Sequence, residues 1–202
     1  MHAFDPRKTA LIIVDLQNDF IAPDGAYAQG GAASREAQAL PARVAPVAQA
    51  LKGQGGLVAS SQFTLWPDAK GDPMISPHLK ALRPFLKRGD FAMGSRGHAN
   101  VDAIAGLVDV SVFKVAYSAF FNTQLDWVLR HAGIDTVAVT GIVTNGGVAS
   151  TVRDAHMREY HTIVLEDGCA ASTPTAHDAA IADLRTVSDV MTCAAFAALL
   201  TA

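Results

Sequence analysis

The chain is poor in cysteine and in charge. Its 202 residues include two cysteines, Cys169 and Cys193, and only 17% of the residues are charged. Two distant cysteines form neither a disulfide framework nor a metal-type spacing. The net charge is -3, and no block of Lys and Arg appears. A surface without a basic patch gives no reason to expect a nucleic-acid partner.

Long apolar runs are also missing. The first apolar stretch, 10–14, is too short for a signal peptide or a membrane span. We therefore expect a cytoplasmic protein without a membrane partner. Half of the 202 residues are hydrophobic, which is enough to form a substantial core. Because neither repeats nor low-complexity segments interrupt the chain, we expect a single domain over 1–202.

Sequence motifs for metal binding and for dinucleotide binding are absent as well. The seven histidines form no HxH or HExxH pattern. His78 and His98 fall in polar segments, where solvated side chains are the usual outcome. No G-x-G-x-x-G follows the first apolar run, which argues against a dinucleotide-binding oxidoreductase. We expect neither a metal nor a cofactor.

The hydrophobic pattern that is present predicts alternating strands and helices. TALIIV, 9–14, is a continuous apolar run typical of a strand buried on both faces. Further strands are predicted at 57–61, 111–113, 137–140, 162–165 and 188–191. Helices are predicted between them at 40–51, 122–132, 148–159 and 192–200. Segment 22–35 is predicted to be a loop, and 67–100 an irregular segment with a short helix at 78–86. Such alternation predicts the α/β class with a parallel sheet.

Polar side chains follow two of these strands. Asp15 comes directly after the first strand, and Lys114 directly after the third. Ligands of open α/β sheets bind at the carboxyl ends of the strands, so both residues are candidates for chemistry. Partial desolvation there raises the pKa of a carboxylate towards the range useful for proton transfer. The alternatives are a turn cap for Asp15 and a solvated side chain for Lys114.

The stretch 137–153, VAVTGIVTNGGVASTVR, reads as a strand, a sharp turn and a helix. This arrangement directs unpaired backbone N–H groups and the positive end of a helix dipole at one point. Such a point can bind an anion or a developing oxyanion. Gly146 and Gly147 would let a ligand approach the backbone closely, although they could also serve only to ease a tight turn.

Three segments together resemble one known family. TGIVTNGGVASTVRDA from Thr140, VDLQNDF from Val14 and the K-x-x-Y-S-x-F pattern from Lys114 to Phe120 are similar to motifs of the isochorismatase-like hydrolases. That superfamily includes nicotinamidases, N-carbamoylsarcosine amidohydrolases and isochorismatases. The resemblance implies a Rossmann-like three-layer sandwich with a six-stranded parallel sheet in the order 3-2-1-4-5-6. It also implies a small-molecule substrate and a homo-oligomer.

The same resemblance assigns roles to individual residues. Asp15 matches the general acid/base, Lys114 the catalytic lysine, and Gly147 the position at which amidase members carry their nucleophilic cysteine. A cis peptide bond between Ile142 and Val143 is implied, with the N–H groups of Val143 and Gly147 forming an oxyanion hole. Residues expected to contact substrate are Phe20, Gln62, Tyr117, Thr144, Asn145 and Gly146. Gln62 and Thr64 stand where nicotinamidases hold metal ligands, which again favours a site without metal.

Two functional readings remain open. In the first, the protein hydrolyses a small molecule without a covalent intermediate, as isochorismatases do with a vinyl ether, using Asp15 with Lys114. Glycine at the cysteine position agrees with that reading. In the second, the chain is an amidase-branch homologue that has lost its nucleophile and serves in binding or assembly. Thr144 and Asn145 resemble the amidase branch and favour this alternative.

Overall fold

The computed structural model describes residues 4–201 and contains one parallel six-stranded sheet. The strands are β1 (Thr9–Val14), β2 (Leu57–Phe63), β3 (Val110–Lys114), β4 (Thr136–Ile142), β5 (His161–Ala170) and β6 (Asp189–Met191). Their spatial order is β3-β2-β1-β4-β5-β6, with every pairing parallel. The predicted α/β class and strand order are therefore confirmed.

Helices cover both faces of this sheet. They are α1 (Asn18–Ile21), α2 (Ala26–Gln29), α3 (Arg35–Gly53), α4 (Pro77–Leu82), α5 (Asp102–Ala105), α6 (Leu125–His131), α7 (Ala149–Met157), α8 (Pro174–Leu184) and α9 (Cys193–Leu199). Alternate residues of β1 enter two separate apolar clusters, because successive strand side chains point to opposite faces. One cluster contains residues of α6, α7 and α8, and the other residues of α3, α5 and α9.

The central strand β1 sets the position of the site. All of its residues are buried, and it pairs with β2 on one side and β4 on the other. At its carboxyl end Val14 lies opposite both Ser61 and Gly141. A Cβ at Gly141 would lie 2.0 Å from the Val14 carbonyl oxygen, and the residue has φ +112°. Only glycine fits this approach, which brings the turn after β4 close to the residue that follows β1.

Helix α3 differs most from its predicted bounds. It begins at Arg35 rather than Leu40, because the Ser34 hydroxyl accepts the Ala37 N–H and so caps it. Pro41 and Pro46 both lie inside the helix. The predicted helix, 40–51, already contained both prolines, so its missing first turns follow from the unrecognised cap at Ser34.

The segment between β2 and β3 is mostly irregular, with α4 as its longest helix. It packs through a third apolar cluster that contains Leu86 and Phe91. Phe91 is fully buried and is a core residue, whereas Trp66 is 44% exposed. His98 was expected in solvent but is buried, and its Nε2 lies 2.8 Å from the Thr64 hydroxyl. In the described part of the chain, no helix combines the length and apolarity needed to cross a membrane.

Candidate active site

Asp15 lies at the turn that follows β1. Its backbone has φ +58°, in the left-handed region that few non-glycine residues adopt. One carboxylate oxygen accepts the Ser61 hydroxyl at 3.0 Å, and the other lies 2.7 Å from Lys114 Nζ. Burial raises the pKa of Asp15, while the charge and hydrogen bond of Lys114 and the hydrogen bond of Ser61 oppose that rise. The net result is a carboxylate that takes up a proton more readily than an exposed aspartate.

Lys114 ends the edge strand β3 and reaches inward. Its side chain is only 2% exposed. Besides Asp15, the ammonium donates to the Ala116 carbonyl at 3.0 Å and lies 5.7 Å from the centroid of the Phe63 ring. A buried charge is tolerated only when it is paired and hydrogen-bonded, and both members of this pair satisfy that condition. The geometry excludes the solvated alternative for Lys114.

The turn after β4 forms a third side of the site. The peptide bond between Ile142 and Val143 is cis, as the resemblance implied. Residues Thr144–Val148 form a π-helical turn that leads directly into α7. The Val143 carbonyl accepts the N–H groups of Gly146 at 2.9 Å and Val148 at 3.2 Å, which closes the turn. A π-turn at this place agrees with the frequent occurrence of such turns at functional sites.

Position 147 has little room for a side chain. A Cβ built on Gly147 would lie 2.8 Å from the Ile142 carbonyl oxygen and 3.0 Å from Val14 Cγ1. The first of these neighbours is backbone, which cannot rotate away as the end of a flexible side chain can. Any larger residue at 147 therefore requires the turn to shift.

These elements enclose one cavity of about 740 Å³. The predicted catalytic residues Asp15, Lys114 and Gly147 all border it. So do five further residues that the sequence singled out, namely Phe20, Tyr117, Val143, Asn145 and Gly146. The structure thus brings residues from four chain segments to one space at the carboxyl edge of the sheet.

Two predicted substrate contacts lie elsewhere. Gln62 is buried and its side-chain amide donates to the His98 carbonyl at 2.7 Å, away from the cavity lining. Thr144 is buried too, with its hydroxyl 2.9 Å from His177 Nδ1 on α8. Successive side chains of a strand point to opposite faces of the sheet, and their direction changes again in a turn. Neighbouring residues at a strand end therefore do not all point into the same cavity. Both residues hold neighbouring segments in place and lie outside the lining of the cavity, so their contact with substrate stays a prediction.

Several lining residues could not be found from the sequence. Tyr27 belongs to α2, His78 to α4, and Arg83 follows α4 directly, while Ser150 and Ser172 come from the other side of the cavity. Tyr27 belongs to a segment read as a loop, and His78 and Arg83 belong to the short helix predicted within an irregular segment, so no clear periodicity indicated the direction of these side chains. Ser150 had a weak signal, since it lies three residues after Gly147 on the helix and therefore on a nearby face.

The arrangement does not provide a metal-binding cluster within residues 4–201. No group of three or more His, Cys, Asp or Glu side chains in that range is placed to hold a metal ion. The cavity presents the buried carboxylate and ammonium pair of Asp15 and Lys114 beside a glycine-containing backbone turn.

Comparison with known proteins agrees with this architecture. Residues 9–195 match the isochorismatase domain family. The ureidoacrylate amidohydrolase RutB of Methylobacterium radiotolerans is 36% identical over 209 residues, which cover 93% of this chain and 79% of that protein. A cysteine hydrolase from Pseudomonas syringae pv. phaseolicola superimposes with a TM-score of 0.85 at 26% identity, covering 100% of this chain and 96% of the other. An N-carbamoylsarcosine amidase from Thermoplasma acidophilum has a TM-score of 0.72 at 28% identity, with 92% and 96% covered.

The fold and the site are those of an α/β hydrolase whose cavity lies at the carboxyl edge of the sheet. The chain belongs to the isochorismatase family of hydrolases.

Proposed function

We propose that this protein hydrolyses an amide or ureide bond of a small molecule by direct attack of water, without a covalent enzyme intermediate. The observation that carries the proposal is the buried ion pair of Asp15 and Lys114, 2.7 Å apart, at the wall of a cavity that Gly147 also borders. Burying two charges costs free energy, which their mutual attraction and hydrogen bonds must offset. A buried carboxylate with a raised pKa beside an ammonium group is suited to general acid–base chemistry.

In the proposed reaction Asp15 accepts a proton from a water molecule as its oxygen attacks the carbonyl carbon. The carbon–nitrogen bond then breaks, and the proton passes from Asp15 to the leaving nitrogen. For a ureide the products are ammonia and a carbamic acid, or the amine and carbamate. Lys114 stabilises negative charge during these steps, and the N–H groups of Val143 and Gly147 are assigned to the oxyanion.

The tight surroundings of Gly147 favour this mechanism over an incomplete thiol mechanism. We assign Gly147 to the position of the nucleophilic cysteine in the amidase branch. Because a Cβ there would meet the Ile142 carbonyl at 2.8 Å, a thiol is not simply missing from an otherwise prepared space. The site instead supports a reaction in which no side chain at 147 takes part.

The choice of an amide or ureide rests on the relatives. One is named for ureidoacrylate and another for N-carbamoylsarcosine. Both names denote a carbamoyl group on nitrogen. We transfer this bond type to the present cavity as part of the proposal, with vinyl ethers as the competing substrate class.

The test is a panel of amides, ureides and vinyl ethers incubated with wild type and with Asp15→Asn. Ammonia release is measured for the nitrogen compounds, and carbonyl formation for the vinyl ethers. We expect turnover of at least one ureide or amide, and a loss of about 10²- to 10⁴-fold in kcat for Asp15→Asn because its general base is gone. Asp72→Asn is the control, since Asp72 is exposed and paired with Arg88.

Turnover confined to vinyl ethers would contradict the proposed bond type. Saturable binding of ureides with no turnover of any compound would instead favour the second function, that of a binding protein descended from the amidase branch. The glycine at position 147 is the observation that favours this second function, because the loss of a nucleophile can lower turnover by about 10⁶-fold.

A further inference from the structure

Arg83 places a second cation at the cavity. It follows α4 directly and lines the same space as Asp15 and Lys114. Its Nε donates to the Tyr27 hydroxyl at 3.1 Å, and one terminal nitrogen donates to the Leu82 carbonyl at 2.9 Å. The guanidinium carbon lies 5.6 Å from the centroid of the Tyr27 ring. These contacts hold the guanidinium in one orientation.

None of these contacts neutralises the charge of Arg83. Both acceptors are neutral oxygens, and among residues 4–201 no carboxylate oxygen lies within salt-bridge distance of this guanidinium. Within the cavity, the negative charge of Asp15 is matched by Lys114. The wall therefore carries one cation in excess, and Arg83 supplies it.

Tyr27 connects this cation with the rest of the cavity. Burial raises the pKa of Tyr27, the Arg83 hydrogen bond and charge lower it, and the charge of Asp15 raises it again. The pKa of the Tyr27 phenol is therefore influenced by both Arg83 and Asp15. Its ring also packs on Phe20, with centroids 4.6 Å apart. A neutral phenol hydroxyl remains available as a donor to an anion, because Arg83 uses only its acceptor side.

We propose that Arg83, supported by Tyr27, binds a carboxylate of the substrate, so that the substrate class is an N-carbamoyl or amido acid in its anionic form. The inference rests on the proposed function for the bond that is cleaved. The carboxylate binds at Arg83, and the carbamoyl group faces Asp15 and the turn at Gly147. Arginine suits this task because its planar donors match a carboxylate in pairs.

The inference also explains the exposure of this wall. Arg83 is half-buried and His78, on the helix just before it, is exposed. A partly open cationic wall attracts an anion from solvent and still releases a product after cleavage. Asp15 and Lys114, in contrast, are buried, which suits the chemical step.

The experiment measures binding separately from turnover. Dissociation constants are determined by calorimetry for N-carbamoylglycine, N-carbamoyl-β-alanine and N-carbamoyl-γ-aminobutyrate, each beside its methyl ester. The proteins are wild type, Arg83→Gln, Arg83→Lys and Arg88→Gln. Arg88 is the matched control, since it is an exposed arginine already paired with Asp72 outside the cavity. Thermal unfolding of each variant checks that it is folded.

We expect wild type to bind at least one acid about 10- to 100-fold tighter than its ester, the range given by a charge-assisted hydrogen bond. Arg83→Gln removes this preference, Arg83→Lys keeps part of it, and Arg88→Gln keeps all of it. Equal binding of acid and ester by wild type, an undiminished preference in Arg83→Gln, or no binding of any acid overturns the inference.

The outcome is independent of the proposed function. Ammonia release is followed with the same compounds in a separate assay. Preference for the acid without any ammonia release leaves the carboxylate site standing and removes the proposed hydrolysis. Ammonia release without preference for the acid supports the proposed hydrolysis and removes the carboxylate site.

Discussion

At the scale of single residues, the ionisation of Asp15 links structure to activity. Burial raises its pKa above the ordinary value of 3.8, and the Ser61 hydroxyl opposes that rise by donating to the carboxylate. If Asp15 is the base of the proposed reaction it must be unprotonated to act, so we expect activity to fall as the pH drops through this raised pKa. The folded state disfavours the charged form, so Asp15 lowers stability progressively as the pH rises from 3.8 through the raised pKa.

Ser61→Ala should move the acidic limb of the activity profile to higher pH. Removing the hydroxyl takes away one interaction that favours the charged carboxylate, so the pKa of Asp15 rises further. The measurement is kcat/KM against pH. Ser60→Ala is the matched control, because Ser60 is the neighbouring buried residue of β2 and bonds Ser111 instead. An unchanged limb in Ser61→Ala would show that Asp15 is not the titrating base.

Lys114→Met should lower the free energy of unfolding by about 3–5 kcal/mol near neutral pH, because it leaves the buried Asp15 carboxylate without its partner. The loss should shrink at acidic pH, where Asp15 is protonated and neutral. Denaturant unfolding at several pH values measures both effects.

Lys52→Met is the control for that experiment. Lys52 pairs with Asp109 at a more exposed site, so we expect about 0–1 kcal/mol and little change with pH. A loss for Lys114→Met that stays constant down to acidic pH would contradict the assignment of the effect to an ionised Asp15.

Gly147→Cys separates the two readings of the missing nucleophile. Because its Cβ would press on the Ile142 carbonyl, we expect a loss of about 1–3 kcal/mol in stability and no gain of amide hydrolysis. Gly147→Ala is the control for the steric effect alone. Ammonia release from simple amides is measured for both variants. Amide turnover gained only by the cysteine variant would support an amidase that has merely lost its thiol.

At the scale of elements, the strand ends were predictable and the irregular segments were not. A buried apolar run has few interpretations, so Asp15 and Lys114 could be placed at strand ends from the sequence. The direction of a side chain at those ends could not, and Gln62, which the resemblance assigned to substrate, lies outside the cavity lining. Tyr27 lies on the short helix α2 and Arg83 directly follows α4, both within segments of mixed composition. Tertiary contacts alone fix their position, and a local pattern does not record such contacts.

The contact between the first turn of α7 and the segment after β3 is another feature that could not be predicted from the sequence. The Thr151 hydroxyl donates to the Gly147 carbonyl at 2.7 Å and accepts the Ala119 N–H at 3.0 Å. It therefore joins the turn at Gly147 to the segment that carries Tyr117. Nothing in the sequence separates this threonine from an ordinary helix residue.

Thr151→Val should destabilise the protein by about 1–3 kcal/mol, because the shape is kept while a buried N–H loses its acceptor. The loosened turn should also lower kcat more than it changes KM, since the oxyanion donors lose their support. Thr151→Ser is the matched control, because it keeps the hydroxyl. Thermal unfolding and steady-state kinetics test both parts. A loss with serine as large as the loss with valine would contradict the role assigned to the Thr151 hydroxyl.

At the scale of the whole molecule, the domain organisation and the assembly stay predictions. The family match covers 9–195, in agreement with the expected single domain. The expected homo-oligomer needs exposed apolar side chains, and α6 and α7 each carry a large one. Trp127 is 63% exposed and Met157 is 69% exposed. Arg130 of α6 donates to the Arg158 carbonyl just after α7, so the two helix ends adjoin.

Sedimentation at micromolar concentration should therefore show a species larger than the monomer of 21.2 kDa. Trp127→Glu should weaken the assembly, because it puts a charge where an apolar side chain would be buried between copies, and buried aromatic residues carry much of the energy of interfaces. Met74→Glu is the matched control, since Met74 is 61% exposed but belongs to the segment after β2. If wild type sediments as a monomer, the prediction of an oligomer is wrong. If Met74→Glu dissociates the protein and Trp127→Glu does not, the interface involves the segment after β2 instead.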